Sequence, residues 1–552
     1  MVSTVSDFIA DFLHKEGITD IFMLSGAGAI YLDNAVANHQ GLREVCIKNE
    51  ATGPMMAKAY AQLTNNFGVV YVTTGPGGAN AITGVVECFV DSSPVLVISG
   101  QAPLSQTTHQ ARIRGLRSFG VQELDIVGIV KPITKYATML TRAEDIKYEL
   151  QLALHIMKDG RPGPVWLDIP LDLQTVEVNP SQLRSFTPMK KILLTGIPEY
   201  EDLKKLAHTL KGAQRPLIVA GQGVRGAVNE LKEFAELIDA PIILSRMGLD
   251  TLPFSYQHNM GIGGFKGQKY NKQIMSEADV IVAVGTSLSV AFAGHNLSFF
   301  STQAKIYMAD IHPAEAIKIQ YNLEKFIWSD AKVFLESLLK VMREDVWTQD
   351  TSDWLSLCVA LKNKHNAIVL APERNPIDIY YLVKMLDKLS TENDVFVDDA
   401  GSIYYVASQT LSFNKGQREI TSGAYASMGN AIPLAIGSAV ANRNARVLAM
   451  TGDGSLETNV QELKTLSYYG LNVKLFVINN GGYISMRDHG RTTEDERNAM
   501  LNLRKVADAY DVPYSLINDY KQLENLNRVI DKEGPQFIEV ICDDKQKLVL
   551  PQ

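Results

Sequence analysis

The segment AMTGDGSLETNVQELKTLSYYGLNVKLFVINNGGYISMR, residues 449–487, decides the fold. An apolar strand is predicted at Arg446–Thr451, and it breaks at Gly452-Asp453-Gly454. A helix is predicted over Glu457–Tyr469, because apolar residues recur there at helical spacing. A second strand is predicted over Val473–Ile478. The pattern is typical of a βαβ unit in an open α/β sheet, which binds ligands at the carboxyl ends of its strands.

Polar residues stand at both of these strand ends. Asp453 offers a carboxylate, and Asn480, within Asn479-Asn480-Gly481-Gly482, offers an amide oxygen. The glycines let the backbone approach a diphosphate, and the N-terminus of the following helix favours negative charge. Mg²⁺ is held by a few such oxygens together with substrate phosphates and water. The unit therefore predicts a magnesium–diphosphate site, with two unrelated turns as the alternative, since Asp-Gly is a common turn signal.

Length and composition describe a large globular protein. The 552 residues suggest three or four domains, and 46% hydrophobic with 21% charged residues is ordinary for such proteins. The net charge of −8 lacks the basic footprint of nucleic-acid binding. The four cysteines are scattered without a CxxC pair, which indicates neither a zinc site nor a disulfide framework.

The N-terminal stretch MVSTVSDFIADFLHKEG predicts an amphipathic helix rather than a signal peptide, because acidic residues interrupt its apolar positions. No apolar run has the length of a membrane span. These features predict a cytoplasmic protein with no membrane partner.

Strand and helix patterns alternate along the whole chain, which predicts parallel sheets covered on both faces. The predicted fold class is α/β, with three open parallel-sheet domains at 1–172, 190–345 and 365–552. The stretch from Leu171 to Pro198 has few periodic signals and is interpreted as a linker. The further predicted strands are Asp20–Leu24, Leu42–Ile47, Val69–Thr73, Val95–Ser99, Val165–Ile169, one from Pro216, Ile242–Ser245, Val280–Val284, Ile306–Asp310, Val395–Val397 and Phe537–Cys542.

The GDG…NN pattern resembles the diphosphate-binding signature of thiamine diphosphate (ThDP) enzymes. The whole chain resembles the acetolactate synthase branch of the ThDP-dependent 2-oxo acid enzymes. The resemblance rests on these ordered markers: Lys48-Asn49-Glu50-Ala51-Thr52-Gly53, Gly75-Pro76-Gly77-Gly78-Ala79-Asn80, Gln122-Glu123, Met428 in GAYASMGNAIPLAIG, Asp453 and Asn480. It implies pyrimidine-binding, central and diphosphate-binding domains, in that order.

The resemblance also implies roles for individual residues. Asp453, Asn480 and the backbone carbonyl of Gly482 are expected to hold Mg²⁺. Met428 is expected to support the bent cofactor, although methionine also fills irregular cores. The full set of expected cofactor contacts is Pro76, Asn80, Gly401, Ser402, Met428, Gly452, Asp453, Gly454, Ser455, Asn480, Gly482 and Tyr483. In this family the pyrimidine-binding domain of one subunit faces the diphosphate-binding domain of another, which implies a homodimer or homotetramer.

Glu50 is the candidate catalytic acid. ThDP loses a proton from its thiazolium carbon when a carboxylic acid supports the cofactor's own aminopyrimidine, and an apolar pocket favours the protonated acid. Glu50 follows the predicted strand Leu42–Ile47 and precedes a small-residue helix, as the resemblance requires. The alternative is a glutamate that stabilises a helix N-terminus at the surface.

The substrate residues also follow from the resemblance. Gln122 is a second catalytic candidate, and Ser25, Gly26, Ala27 and Arg487 are expected to shape the substrate pocket. Gln122 and Arg487 each have an alternative interpretation as solvated surface residues. The run after Asn480 lacks the tryptophan of acetolactate synthases proper. It resembles instead acetolactate-synthase-like proteins associated with carbohydrate biosynthesis, some of which add an acetyl unit to a nucleotide-linked keto-sugar.

The sequence of the central segment does not decide whether the protein binds FAD. Gly221-Gln222-Gly223, Ser245–Gly248 and Met260–Gly264 resemble the flavin site of acetolactate synthases, whereas the family's arginine-rich segment is replaced by Gly285–Gly294 without charged residues. Gly221-Gln222-Gly223 lacks the third glycine of the dinucleotide fingerprint and equally fits a tight turn.

Together these observations predict a ThDP- and Mg²⁺-dependent carboligase that decarboxylates pyruvate and transfers its acetyl unit to a second carbonyl compound. The cofactor would carry the difficult step as an electron sink. Three alternatives remain: a simple 2-oxo acid decarboxylase, a flavin-dependent pyruvate oxidase and a non-catalytic binding protein. The lone His109 speaks against the first, because pyruvate decarboxylases carry paired histidines in this neighbourhood.

Overall fold

Three six-stranded parallel sheets form the protein, together with one two-stranded antiparallel ribbon. The computed structural model describes residues 2–188, 196–319, 322–344, 347, 350–482 and 499–550. The predicted fold class of three open parallel-sheet domains is confirmed.

The N-terminal sheet has the strand order β3-β2-β4-β5-β7-β6. Its strands, with the two of the ribbon, are β1 Ser3–Thr4, β2 Asp20–Met23, β3 Arg43–Cys46, β4 Gly68–Val72, β5 Val95–Gln101, β6 Tyr136–Met139, β7 Val165–Pro170 and β8 Glu177–Val178. The stretch after Leu171 was expected to be an irregular linker. It contains the helix Leu171–Gln174 and strand β8, which pairs with β1 and ties the segment to the chain start.

The central sheet has the strand order β11-β10-β9-β12-β13-β14. Its strands are β9 Pro216–Ala220, β10 Ile242–Leu244, β11 Asn259–Ile262, β12 Val280–Val284, β13 Lys305–Asp310 and β14 Lys325–Trp328. Numbered within the domain, this order is 3-2-1-4-5-6, the order of dinucleotide-binding sheets.

The C-terminal sheet has the strand order β16-β15-β17-β18-β20-β19. Its strands are β15 Asp394–Asp398, β16 Arg418–Ile420, β17 Arg446–Gly452, β18 Val473–Asn479, β19 Tyr514–Ile517 and β20 Gln536–Ile541. Numbered within each domain, the N-terminal and C-terminal sheets share the order 2-1-3-4-6-5. The two outer domains are therefore topological copies of each other.

Helices cover the sheets on both faces, as parallel sheets require. The longer helices are Val5–Lys15, Ile30–Asn38, Thr52–Thr64, Pro76–Val90, Ile146–Lys158, Tyr200–Lys211, Val228–Leu237, Asn271–Glu277, Ala331–Arg343, Ser352–His365, Ile379–Leu389, Ser402–Thr410, Ala431–Ala441, Leu463–Tyr468 and Leu503–Ala509. The shorter ones are Thr108–Ala111, Ile126–Val130, Leu171–Gln174, Val290–Ala293, Pro313–Ile317, Ala367–Leu370, Asp453–Leu456 and Asn527–Ile530. None of the helices in these described ranges combines the length and apolarity that crossing a bilayer requires.

The helix Thr52–Thr64 of the N-terminal domain packs against Ala431–Ala441 of the C-terminal domain. Small residues permit the close approach. A Cβ at Gly437 would lie 2.1 Å from the carbonyl oxygen of Met56. The small-residue sequence Met428–Val440 predicts a helix. In the structure this helix begins at Ala431, because Gly429, two residues earlier, has a left-handed φ of 75°.

A buried ion cluster crosses the same interface. The Lys58 ammonium, with 0% exposure, donates to Glu87 at 2.9 Å, to Asp91 at 2.6 Å and to the carbonyl of Thr421 at 3.0 Å. Asp91 in turn accepts the backbone N–H of Gly423 at 2.8 Å. Since the N-terminal domain supplies the ions and the C-terminal domain the backbone groups, the cluster fastens the two domains together.

Replacing Lys58 by methionine is expected to destabilise the protein by about 3–5 kcal/mol, because Glu87 and Asp91 would remain buried without their cation. Urea titration followed by tryptophan fluorescence measures the change. Lys205→Met, which removes an exposed pair with Glu324, serves as the control and should leave the midpoint unchanged. Equal midpoints for the two variants would show that the cluster contributes nothing to stability.

Arg246 joins the central domain to the C-terminal domain. Its guanidinium donates to Glu419 at 2.5 Å and to both oxygens of Asp398 at 2.8 Å, and it stacks over the ring of Tyr404 at 4.5 Å. Arg246 belongs to the Ser245–Gly248 segment that the sequence analysis associated with a flavin. In the structure its charge is neutralised by the neighbouring domain.

Candidate active site

Glu50 lies in the turn between strand β3 and the helix Thr52–Thr64, and its side chain is 8% exposed. Its Oε2 accepts a hydrogen bond of 3.0 Å from the Asn80 amide. Its Oε1 would lie 3.5 Å from a Cβ at Gly77. The structure therefore brings together Glu50 and the Gly-Pro-Gly-x-x-Asn turn, two motifs that the sequence separates by some 30 positions.

Gln122 lies against the same turn. Its backbone φ is 58°, and its carbonyl oxygen would be 2.2 Å from a Cβ at Gly75, whose own φ is 61°. Glycine is required at position 75 because no side chain fits beneath this carbonyl. Pro76 follows as the first residue of the helix Pro76–Val90. The predicted residues Gln122, Pro76 and Asn80 thus share one edge of the N-terminal sheet with Glu50.

Thr73, which follows strand β4, joins the loop of Ser25, Gly26 and Ala27 to this edge. Its hydroxyl accepts the Gly28 N–H at 3.2 Å, and a Cβ at Gly26 would lie 2.4 Å from the Thr73 Cβ. The sequence predicts Thr73 as the last residue of a strand and indicates no functional role for it. Its position at a carboxyl edge was the available signal.

Asp33 is a second residue of this edge for which the sequence indicated no role. Its Oδ2 accepts the Gly26 N–H at 3.3 Å, while its buried Oδ1 has no hydrogen-bond partner among the described residues. Burial raises the pKa of Asp33 to about 7, against the lowering effect of the Gly26 hydrogen bond. The loop with the predicted substrate residues therefore has a buried carboxyl group beneath it.

Asp453 occupies the corresponding edge of the C-terminal sheet, directly after Gly452 at the end of β17. Its Oδ1 accepts the Gly454 N–H at 2.9 Å. Its Oδ2 accepts the N–H groups of Gly481 at 3.0 Å and Gly482 at 2.9 Å. One buried carboxylate therefore connects the ends of β17 and β18.

The helix after Asp453 begins earlier than predicted. The sequence placed its start at Glu457, whereas a helical turn already spans Asp453–Leu456 and includes Gly454 and Ser455. A 3₁₀ segment, Glu457–Glu462, follows and leads into the helix Leu463–Tyr468. The early start directs the first N–H groups of the helix toward the strand end, where an anion is favoured.

The donor set at this edge fits Mg²⁺. Asn480, at 8% exposure, makes no side-chain hydrogen bond to the described residues, and its amide oxygen is therefore available. Carboxylate, amide and backbone carbonyl oxygens from Asp453, Asn480 and Gly482 are hard ligands of the kind this cation takes. Gly481 and Gly482 have φ values of 75° and 99°, which favour glycine at both positions.

Asp399 organises the rest of this edge and had no role in the sequence analysis. Its two oxygens accept the N–H groups of Ala400 at 2.8 Å, Gly429 at 2.8 Å and Ala431 at 3.3 Å, and the Thr451 hydroxyl at 2.8 Å. Burial raises the pKa of Asp399 to about 6, against the lowering effect of these donors. Three predicted cofactor-contacting turns are thus held by one side chain.

Met428 and Gly401 leave room beside these turns. The Met428 side chain is 40% exposed, and its carbonyl accepts the Thr458 hydroxyl at 2.8 Å. Gly401, with φ 84°, would have no atom within 4 Å of an added Cβ, and Ser402 begins the following helix. Space beside Gly401 and an exposed apolar side chain are what a bound cofactor would need here.

Tyr483 and Arg487, which were predicted to contact the cofactor and the substrate, lie outside the described residues.

Three family models match the chain in succession. The N-terminal TPP binding domain, the central domain and the C-terminal TPP binding domain of thiamine pyrophosphate enzymes match residues 3–127, 203–338 and 399–540. The acetolactate synthase large subunit of Lactococcus lactis is 30% identical, covering 99% of this chain and 93% of the relative. The chain belongs to the acetolactate synthase-like family of thiamine pyrophosphate enzymes.

Other relatives in this family match over nearly the whole chain. The acetolactate synthase isozyme 1 large subunit of Escherichia coli is 27% identical over 99% of this chain and 95% of the relative. Acetolactate synthase 1, chloroplastic, of Nicotiana tabacum is 28% identical over 99% of this chain and 82% of the relative. The family resemblance, the assignment as an enzyme and the ThDP cofactor are confirmed.

The geometry of the central domain in this acetolactate synthase-like enzyme is not specific evidence for a flavin site. Gly221 and Gly285 follow the adjacent strands β9 and β12, where the strand order reverses and dinucleotides bind. A Cβ at Gly221 would lie 2.3 Å from the Gly285 oxygen, and one at Gly263 would lie 2.8 Å from Phe292. Contacts within the protein already explain these glycines. FAD stays a prediction from the resemblance, and mass spectrometry of heat-released cofactors tests it.

Proposed function

We propose that the protein is a ThDP- and Mg²⁺-dependent carboligase, which decarboxylates pyruvate and transfers the acetyl unit to a carbonyl acceptor. The contact between Glu50 and Asn80 beside the Gly-Pro-Gly turn carries this proposal. A protein without catalysis has no physical need to bury a carboxyl group there. The names of the acetolactate synthase relatives support the carboligase activity.

In this proposal each half of the site has its own task. ThDP, when bound, supplies the positively charged thiazolium that accepts electrons as CO₂ leaves. Glu50 holds a proton at Oε1, while Asn80 holds Oε2 through its hydrogen bond. Asp453, Asn480 and the Gly482 carbonyl would hold Mg²⁺ and, through it, the diphosphate.

The remaining residues in this proposal position the cofactor or contact the substrates. Gly401, Ser402 and Met428 would line the cofactor. The loop of Ser25, Gly26 and Ala27, with Gln122, would bound the donor pocket from the N-terminal edge. Excluding water there would protect the two-carbon unit from protonation until the acceptor arrives.

We further propose that two copies of the chain complete each site. Apolar side chains in the segment that precedes Gln122 support this: Ile113, Phe119 and Val121 are 60%, 55% and 84% exposed in the single chain. Covering them against a second copy would remove apolar surface from water. The domain limits 1–172, 190–345 and 365–552 are likewise proposed, and the three family matches fall within them.

The acceptor is proposed to be pyruvate or a nucleotide-linked keto-sugar. The keto-sugar acceptor is proposed because the run from Asn480 to Gly490 lacks the tryptophan of acetolactate synthases proper.

Product analysis tests the proposed reaction. Full-length protein with ThDP and Mg²⁺ is given pyruvate alone, then pyruvate with 2-oxo acids or nucleotide-linked keto-sugars. We expect CO₂ release together with a product whose composition is the acceptor plus C₂H₄O, detected by mass spectrometry. The matched control omits ThDP. Acetaldehyde as the sole product would establish a decarboxylase instead, and oxygen consumption with hydrogen peroxide formation would establish a flavin oxidase.

A further inference from the structure

Glu462 of the C-terminal domain reaches into the N-terminal domain. Its carboxylate is fully buried, and its Oε1 accepts the backbone N–H groups of Lys48 at 2.9 Å and Asn49 at 3.1 Å. The Thr52 hydroxyl lies 2.9 Å from the same oxygen. The other oxygen, Oε2, accepts the Thr465 hydroxyl at 2.7 Å within its own domain.

These partners lie on both sides of Glu50 along the chain. Lys48 and Asn49 precede it, and Thr52 begins the helix that follows it. The Asn49 side chain also accepts the Ala51 N–H at 2.9 Å, which closes the turn locally. Turns are usually more mobile than the strands and helices that they connect. By holding the backbone of this turn, Glu462 restricts the direction in which the Glu50 side chain leaves it.

The charge of Glu462 makes this restraint strong. Hydrogen bonds to an ionised carboxylate are about twice as strong as those between neutral groups. Burial raises the pKa of the Glu462 carboxyl above its ordinary value, against the lowering effect of its four donors. A glutamine at this position would keep one acceptor oxygen, lose the charge and present an N–H₂ group.

Glu462 also ends the segment that begins at the proposed metal ligand. The helical turn Asp453–Leu456 continues directly into the 3₁₀ segment Glu457–Glu462. Asn459 inside the 3₁₀ segment has a non-helical φ of −136°. The diphosphate-binding edge and the turn that carries the acid are therefore joined by a short run of helical backbone with one kink.

We propose that Glu462 is a positioning residue, which orients the Glu50 carboxyl by holding the Lys48–Thr52 turn from the neighbouring domain. The proposal rests on the proposed role of Glu50. Loss of the Glu462 contacts would slow proton removal from the thiazolium carbon of the cofactor, because a small misplacement of a catalytic group has a large effect on rate. ThDP affinity would be preserved, since the diphosphate edge itself is unchanged.

Glu462→Gln in the full-length protein tests the inference, with Thr465→Val as the matched control, since it affects the same carboxylate without touching the turn. The first measurement is amide hydrogen–deuterium exchange of residues 46–53 by mass spectrometry, in cofactor-free protein. We expect exchange about tenfold faster in Glu462→Gln and unchanged in the control. The second is deuterium exchange at the thiazolium carbon of bound ThDP, where we expect a 10- to 100-fold loss, on the order of that for a misplaced catalytic group.

Wild-type exchange rates in Glu462→Gln, in both measurements, would overturn the inference. Equal effects of Glu462→Gln and Thr465→Val would also overturn it, because the carboxylate would then be merely structural. If Glu50→Gln itself leaves thiazolium exchange unchanged, the proposed function fails instead. Should Glu462→Gln not fold, Glu462→Asp, whose shorter side chain withdraws the carboxylate from the N–H groups of Lys48 and Asn49, is judged by the same outcomes.

Discussion

Glu50→Gln is expected to lower pyruvate turnover by a factor of about 10²–10⁴, the range for losing a general acid–base group. Glutamine has the same size and can still accept the Asn80 hydrogen bond of 3.0 Å. It cannot hold the acidic proton that the cofactor's aminopyrimidine requires. Steady-state CO₂ release from pyruvate, at saturating ThDP and Mg²⁺, measures the change.

The matched control is Glu16→Gln, at the exposed end of the helix Val5–Lys15. It makes the same substitution at an exposed position without a proposed role and should leave turnover unchanged. Unfolding midpoints of both variants should match the wild type, because neither substitution changes packing. Turnover of Glu50→Gln at the wild-type level would mean that another group activates the cofactor, and the proposed mechanism would be wrong.

Asp453→Asn is expected to weaken Mg²⁺-dependent ThDP binding at least about 100-fold, since groups that only support a metal ligand already cost 10- to 100-fold when lost. The substitution removes the negative charge that would face the cation. It also turns an N–H₂ group toward one of the backbone N–H donors of Gly454, Gly481 and Gly482. Quenching of tryptophan fluorescence on titration with ThDP, at several Mg²⁺ concentrations, measures the affinity.

Asp511→Asn is the control for this loss. Asp511 is exposed and pairs with Lys464 at 2.7 Å, away from the sheet edge, so its variant should bind ThDP as the wild type does. Far-ultraviolet circular dichroism should show unchanged secondary structure in both variants. Unaltered ThDP affinity and Mg²⁺ dependence in Asp453→Asn would place the cation elsewhere.

The interior strands of each sheet were predicted well from the sequence. Val280–Val284 was predicted with the bounds that the structure has, because all five residues are apolar and fully flanked by other strands. The edge strands Tyr136–Met139 and Tyr514–Ile517 were not predicted. Both of these strands are partly exposed, and their mixed composition does not differ from that of loops.

The helix after Gly452 shows a second reason why sequence-based prediction of an element can fail. Asp453 and Gly454 have low helix propensity, which favoured a turn in the sequence analysis. In the structure the Asp453 carboxylate accepts the Gly454 N–H and two further N–H groups, and these bonds stabilise a helical turn that propensity alone disfavours. The same carboxylate was nevertheless the strongest sequence signal for the site.

The sequence by itself determined the fold class, the family and the two motif regions around Glu50 and Asp453. It could do so because strands, turns and short motifs depend on residues close together in the chain. Only the tertiary structure decided which side chains hold those motifs in place: Thr73, Asp399 and Glu462. Their partners lie in distant segments or another domain, and a buried carboxylate finds its donors only when the chain has folded around it.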